Sequence, residues 1–372
     1  MTTKDSRTIL HVRIVTGTGG GPEKTLLNSP RHLNGSGYRA LVVYLHAPGD
    51  SGFDVIEERA REQDCPLTGI PESLPIDPRV LWRLARICRR EGVDVWHGHD
   101  YKSNLYGVLL RPFLRFKLVT TVHGWVKHTS RTPLYYAVDR WTLPRHDQVI
   151  AVSKDLHEAC LACGVPDARL SLIENAIDTD QFRRTTPRRV SGRLRVGAVG
   201  RLSEEKGFEL LIETVERLLD RGIELELAIA GEGDLRETLE ARIAESRHSE
   251  HLRLLGFQSD TLGLFESFDL FCLSSLREGL PNVVLEAMSM EVPILATRSG
   301  GMDDFARDGE DALLIEPGSV EELESGLERL ARDPELAGRL ARTARERVVA
   351  DSSFRSRMER ITAVYDRLFA GP

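Results

Sequence analysis

Apolar residues in this chain come in short β-branched runs separated by longer stretches with helical spacing. TILHVRIV (Thr8–Val15), ALVVYL, VDVWH, KLVTTVH and QVIAVS fill the first half, and LRVGAVG, ELELAIAG, LRLLG, LFCLSS and VPILAT fill the second. This alternation predicts two α/β units, each a parallel sheet covered by helices, because parallel neighbours need a crossover connection. Between the two series lies a polar bridge, TPRRVSGR (Thr186–Arg193), which places a domain boundary near Thr185 and gives domains at 1–185 and 186–351. The last stretch, 352–372, carries apolar residues at Phe354, Met358, Ile361, Val364, Tyr365 and Leu368, a helical spacing expected to pack back on the first domain. In doubly wound sheets ligands sit beyond the carboxyl ends of the strands, so the search belongs in the strand-to-helix loops.

Size agrees with that division: 372 residues at 41% hydrophobic content exceed one compact core. No run of about 18 apolar residues occurs, and MTTKDSRTILHVRIV enters a strand without a leader-like segment, so a cytoplasmic location is expected. Of five cysteines only Cys160 and Cys163 are close, with no second pair to complete a zinc site, and idle thiols are expected. The net charge of −7 is divided unevenly: residues 1–187 hold 25 Lys/Arg against 21 Asp/Glu, and residues 188–372 hold 25 against 36. The halves are therefore +4 and −11. That balance disfavours nucleic acid, and it leaves the first half free to meet an anionic acceptor or a membrane surface.

Three loops carry chemistry. After the first strand, Gly19, Gly20 and Gly21 precede Pro22 and Glu23, a helix start open to an anion. The P-loop pattern fails because Glu23 precedes Lys24, and G-x-G-x-x-G fails at Pro22 or Lys24. A tight turn is the plain alternative. After the first strand of the second half, GRLSEEKG puts Arg201 and Lys206 on a loop where guanidinium and ammonium can neutralise a diphosphate; the alternative is two solvated charges beside Glu204 and Glu205. AGEGDL places Gly231 and Gly233 on a neighbouring loop, for close backbone approach.

The third loop, REGLPNVVLEA, separates Glu278 from Glu286 by seven residues around Gly279 and Pro281. A helix starting near Asn282 offers free N–H groups to phosphate or sugar oxygens, Glu286 one turn on can accept both hydroxyls of a ribose, and Glu278 can reach a sugar ring. Ordinary acidic residues near a helix N-terminus are the alternative.

With these motifs the chain resembles the retaining GT-B glycosyltransferases of family 4. GRLSEEKG resembles their diphosphate loop and EGLPNVVLE their E-x7-E element, and IAVS, NAIDTDQF, IAGEG and SGG follow as family-like segments in order. The resemblance implies two facing Rossmann-like domains with a deep interdomain cleft, the second domain holding a nucleotide diphosphate sugar, UDP- or GDP-linked. Arg201 and Lys206 would hold the diphosphate, Glu278 the sugar, Asn282 and Val283 would offer backbone donors, Glu286 would bind ribose, and Gly20 and Gly21 would close over the phosphates. His123, in TTVHGW, matches the family histidine that contacts donor sugar or phosphate. Where the family often carries Glu after SGG, this chain has Asp303 and Asp304. Configuration at the anomeric carbon would be retained, with the leaving diphosphate oxygen helping to deprotonate the acceptor. The D-x-D at Asp178–Asp180 lies at the linker, and the charge of Arg201 and Lys206 replaces a metal, so no metal and no cofactor are expected.

The acceptor side is read from WHGHDYKSN, with His99, Asp100, Lys102 and Asn104 as candidates beside His97. A metal held by His97 and His99 is disfavoured, on the ground that the two alternate across a strand and no third ligand is evident. Leu109–Leu118 interleaves Arg111, Arg115 and Lys117 with Phe113 and Phe116, as a segment touching the inner membrane surface does, though core packing serves equally. GGGPEKT and HGHDYKSN look like segments of bacterial enzymes of polysaccharide or exported-glycan assembly, which implies a glycan, lipid-linked or small-molecule hydroxyl acceptor. Base recognition is expected from backbone near Phe257 and Gln258. Two other readings share the motifs. A phosphorylase or epimerase would show phosphate dependence or act on donor alone, and a non-catalytic nucleotide-sugar sensor would bind without slow hydrolysis.

Overall fold

The computed structural model describes residues 6–19, 21–34, 36–124, 132–186, 193–278 and 282–370. The chain forms two compact units, one of Met1–Glu174 with Arg355–Pro372, the other of Asn175–Phe354.

The first unit is a seven-stranded parallel sheet in the order β3-β2-β1-β4-β5-β6-β7. Its strands are β1 (Arg7–Ile14), β2 (Tyr38–His46), β3 (Leu67–Pro71), β4 (Val93–Gly98), β5 (Lys117–Val122), β6 (Gln148–Ala151) and β7 (Leu170–Leu172). The order reverses between β1 and β4, which pair His11 with His97 and Val12 with Gly98. The final helix, Phe354–Arg367, belongs to this unit from Arg355 onward and buries Met358, Ile361, Val364 and Tyr365. Its Asp366 accepts from the Tyr38 hydroxyl at 2.5 Å, and Arg357 Nε donates to the Glu174 carbonyl at 3.1 Å.

The second unit is a six-stranded parallel sheet, β10-β9-β8-β11-β12-β13. Here β8 is Leu194–Val199, β9 Leu225–Ala230, β10 Leu252–Gly256, β11 Leu270–Leu273, β12 Ile294–Thr297 and β13 Leu313–Ile315. The reversal falls between β8 and β11. Ile177 and Phe182 lie in this unit's core beside Phe265, Phe268 and Phe271. Arg345 and Ser289 hold the Phe182 carbonyl at 2.7 and 2.6 Å. The chain therefore joins the second unit upstream of Thr185, while most of the polar bridge, 187–192, lies outside the described residues.

The five cysteines are unpaired. Burial pushes the Cys160 thiol up to about 12, as expected of a packing residue. No helix among the described residues is long and apolar enough to cross a membrane.

Candidate functional site

In an open parallel sheet the two loops that flank the reversal of strand order diverge and leave room for a ligand beyond the carboxyl ends. In the second unit those loops follow β8 and β11, and they carry the two motifs singled out above. Arg201 stands one residue beyond Gly200, which follows β8, and is exposed. A short 3-10 turn, Glu204–Lys206, then leads through Gly207 into the helix Phe208–Asp220. Gly207 has φ +63°, and a Cβ there would stand 2.3 Å from the Ser274 carbonyl oxygen. The loop after β11 is thus pressed against the loop after β8. Ser274 Oγ donates to the Lys206 carbonyl at 2.9 Å, and the Leu276 N–H donates to the Glu205 carbonyl at 2.8 Å.

That clamp makes Lys206 and Glu278, 72 residues apart in sequence, an ion pair. Their side chains are 18% and 9% exposed. Ser275 Oγ donates to the same Glu278 oxygen at 2.7 Å, and Thr297 Oγ1 at the end of β12 donates to the Ser275 carbonyl at 2.6 Å. Sequence reasoning assigned Lys206 and Glu278 to separate parts of a ligand; the structure adds that they hold each other, and it brings in Ser275 and Thr297, which no motif had marked.

Residues 279–281, including Gly279 and Pro281, lie outside the described residues. The helix Asn282–Ser289 begins directly after them. Its first-turn N–H groups have no intrahelical acceptor. Glu286, four residues on from Asn282, is buried at 2% exposure, and Val283 is half-buried. On the loop after β9, Gly231 at φ +149° would drive a Cβ to 1.8 Å from the Gly200 carbonyl oxygen, and Gly233 would meet the Leu202 carbonyl oxygen at 2.4 Å. Both glycines are required by the close approach of the Arg201 loop. Phe257, at the end of β10, is half exposed, and Gln258 Nε2 donates to the Leu255 carbonyl at 2.7 Å. The side chains of Asp303 and Asp304 fall outside the description. At the linker, Asp178 Oδ1 accepts from the Asp180 and Gln181 N–H groups, a local turn.

The reversal point of the first unit is built differently. Gly20 lies outside the described residues, and the helix Gly21–Leu33 starts immediately after it. Gly19 has φ +71°, and Glu23 in the first helical turn pairs with Arg13 at 2.6 Å. Arg13 also donates to the His99 carbonyl at 3.0 Å.

Four imidazoles gather beside this pair. His11 on β1 and His97 on β4 are ring neighbours at 5.0 Å, and His97 stacks on His99 at 4.3 Å. His11 Nδ1 lies 3.0 Å from His99 Nε2, and His99 Nδ1 lies 3.3 Å from His123 Nε2. His97 uses both nitrogens elsewhere, with the Tyr365 hydroxyl at 2.6 Å and Thr121 Oγ1 at 2.8 Å. Burial lowers the basicity of all four: His11 falls to about 3, and His97, His99 and His123 fall well below the usual range, with the Arg357 or Arg13 charge adding to the effect.

Two points of the sequence reading are corrected here. Residues two apart on a strand share a face, so His97 and His99 stand together rather than apart. A third imidazole also exists, since His11, His97 and His99 present nitrogens within 4.8 Å of one another. The signal available in the sequence was His11 itself, a polar residue inside the buried run Ile9–Val12 of β1.

The remaining acceptor-side candidates are committed inside the unit. Asp100 caps the helix Tyr101–Leu110 through the Lys102 and Ser103 N–H groups and also accepts from the Ile14 N–H at 2.8 Å. Burial raises its carboxyl, against the pull of Arg13 and those N–H donors. Lys102 is buried in a 2.5 Å pair with Glu72, and Asn104 Nδ2 donates to Asp139 at 2.8 Å. Polar residues after a strand suggested a binding face; instead, burial made Lys102 and Asn104 internal ties of the fold. On the segment from Leu109 to Leu118, Phe113 and Leu109 are exposed, whereas Phe116 is buried against Trp96.

Comparison with known proteins places these motifs in a family. Residues 181–347 match the family model described as glycosyl transferases group 1, and residues 19–181 match that of glycosyltransferase family 4. The lipopolysaccharide core biosynthesis glycosyltransferase LpsE of Rhizobium meliloti is 37% identical over 175 residues, 47% of this chain and about half (49%) of that protein. The GDP-mannose-dependent alpha-(1-6)-phosphatidylinositol monomannoside mannosyltransferase of Mycolicibacterium smegmatis is 26% identical over 340 residues, 86% of this chain and 88% of the relative. In fold, the chain matches Anabaena HepE, solved in complex with UDP-glucose, with a TM-score of 0.82 and 20% identity over 97% of this chain and 99% of that one.

Proposed function

Starting from the group 1 glycosyltransferases, the family to which this chain belongs, we propose that it transfers a sugar from a nucleotide diphosphate donor with retention of configuration and without a metal ion. The observation that carries this reading is the Lys206–Glu278 pair, held by Ser275 at the strand-order reversal of the second unit. Arg201, exposed on the same loop as Lys206, supplies a second cation. Arg201 and Lys206 meet the diphosphate, and Lys206 has donors to spare beyond the one given to Glu278. Positive charge at that place stabilises negative charge as it grows on the departing nucleotide, which is the task a metal performs elsewhere.

Asn282 and Val283 offer backbone N–H groups from the first turn of their helix to phosphate or sugar oxygens. Asn282 Oδ1, buried with no hydrogen-bond partner among the described residues, accepts from a sugar hydroxyl. Glu286 takes the ribose hydroxyls and Glu278 the donor sugar. His123 contacts a sugar or phosphate oxygen. The mycolicibacterial relative is named for GDP-mannose and the Anabaena protein was solved with UDP-glucose. A nucleoside diphosphate joined to a hexose is what these donors share. The acceptor is a hydroxyl on a glycan, a lipid-linked glycan or a small molecule, met in the cytoplasm and in part at the inner membrane surface through exposed Phe113 and its basic neighbours.

The test is thermal stabilisation by UDP, GDP and their sugars in EDTA, wild type against Glu286→Ala. A nucleotide at 100 times its Kd stabilises by about 2.7 kcal/mol. A metal-free shift that the variant loses supports the reading; dependence of the shift on added divalent metal, or no shift with any nucleotide, overturns it.

A further inference from the structure

The imidazoles of the first unit form a directed chain, His11 to His99 to His123, in which each link is a nitrogen-to-nitrogen contact of 3.0 or 3.3 Å. A neutral imidazole has one N–H and one bare nitrogen, so fixing the proton on one ring fixes it on every ring in the chain. Two arrangements satisfy both links. In one, His11 donates from Nδ1 to His99 Nε2, and His99 donates from Nδ1 to His123 Nε2. In the other, every donation is reversed, and His11 then carries its proton on Nε2.

The far end of the chain chooses between them. His11 Nε2 is buried and has no hydrogen-bond partner among the described residues. A buried N–H without an acceptor is rarer and costlier than a bare lone pair without a donor. His99, just past the end of β4, is buried, and its ring stacks on His97.

We infer that His11 and His99 are positioning residues that hold His123 as a neutral imidazole protonated on Nδ1, so that His123 meets its ligand as a hydrogen-bond donor to an oxygen and not as a base through Nε2. The oxygen is a hydroxyl or phosphoryl oxygen of the substrate; only this last point rests on the glycosyl-transfer reading. The same contacts leave little for a metal at the His11, His97 and His99 cluster. His97 has spent both nitrogens on Tyr365 and Thr121, and the cations Arg357 and Arg13 act on the cluster.

The decisive measurement is a long-range 1H–15N spectrum of the full chain labelled at histidine, with His123 assigned by its loss in His123→Gln. The expected spectrum has Nδ1 of His123 protonated, Nε2 bare, and no titration between pH 6 and 8. A proton on Nε2, or an imidazolium forming in that range, overturns the inference. So does stoichiometric zinc that abolishes the ring N–H signals, because it makes the cluster a metal centre.

A second arm uses His11→Leu, which removes the donor, and His11→Asn, whose amide N–H stands near the lost Nδ1–H. His11→Leu should mix the two forms of His123 and lower kcat by about 10-fold or more, as loss of an imidazole-orienting partner does elsewhere. The affinity for nucleotide should hold, and His11→Asn should restore both the single form and most of the turnover. An unmixed His123 spectrum with unchanged kcat in His11→Leu overturns the inference. If His11→Leu does not fold, the wild-type spectrum decides alone. If no nucleotide sugar is turned over, the proposed function falls while the spectrum still reports on the chain of imidazoles.

Discussion

Replacing Lys206 with Met separates what the Lys206–Glu278 pair does for stability from what it does for a ligand. The Glu278 side chain is 9% exposed, and without the ammonium it keeps, among the described residues, the hydrogen bond from the Ser275 hydroxyl at 2.7 Å. Two unit charges at about 4 Å attract by about 4 kcal/mol at an effective dielectric constant of 20. Desolvation offsets much of that gain when a pair forms, yet stranding one buried partner costs about 3–5 kcal/mol. With the pair still touched by solvent, about 2–3 kcal/mol is expected for Lys206→Met. In a unit of this size that lowers Tm by roughly 5–10 °C. Adding Glu278→Gln removes the stranded charge and should return all but about 1 kcal/mol.

Affinity for a nucleoside diphosphate should behave otherwise. The single and the double variant both lack the ammonium, and a hydrogen bond to a charged group is worth about 1.5–3 kcal/mol, so both should bind about 10- to 100-fold more weakly. Glu278→Gln alone should bind the nucleotide at least as tightly as wild type, because a carboxylate beside the phosphates is gone, while transferring sugar more slowly. Calorimetric unfolding without ligand and titration calorimetry in EDTA measure the two quantities. A Lys206→Met protein as stable as wild type would show the pair to be solvated, and a double variant with wild-type affinity would remove Lys206 from the binding site.

Arg201→Ala, which removes an exposed side chain, should leave stability within about 0.5 kcal/mol and weaken nucleotide binding about 10-fold or more; unchanged affinity by titration calorimetry refutes its role. Gly231→Ala forces a Cβ into the Gly200 carbonyl at a backbone angle that only glycine adopts freely, and should cost about 3 kcal/mol in urea unfolding; a loss under about 1 kcal/mol contradicts the close approach. Stability should also fall with acid. Folded His11 titrates near 3 and folded His146 near 4, against 6.5 when unfolded, so the unfolded chain takes up protons first. That stabilisation is intact above pH 6.5 and wanes as pH falls toward 4, by about 2 kcal/mol for each of the two between pH 7.5 and pH 5. The four tryptophans all lie in the first unit, so fluorescence-detected unfolding follows this loss, and a flat profile from pH 7.5 to 5 refutes the buried neutral state.

Ten strands and the loops that follow them were legible because a strand buried on both faces must be a continuous apolar run, and a loop that meets another backbone must use glycine. Three strands were not: β3, β7 and β13 lie at sheet edges, where LTGIP and LSL break the apolar run with Thr, Gly or Ser and LLI is three residues long. Arg201, Lys206, Glu278 and Glu286 could be named from sequence since each sits in a motif only a few residues long. Their relation could not, because Glu278 meets Lys206 only where β8 and β11 become neighbours. Likewise, neither the apolar run around His11 nor HGHD discloses that His11, His99 and His123 touch; the sheet order β1-β4-β5 decides it. Burial, which belongs to the assembled unit, turned Lys102 and Asn104 from candidate ligand contacts into internal ties. Local backbone preference and hydrophobic periodicity act within about ten residues and can be read along the chain. Strand order, ion pairing and the protonation of buried imidazoles depend on which distant segments exclude water from one another, and only the folded structure determines that.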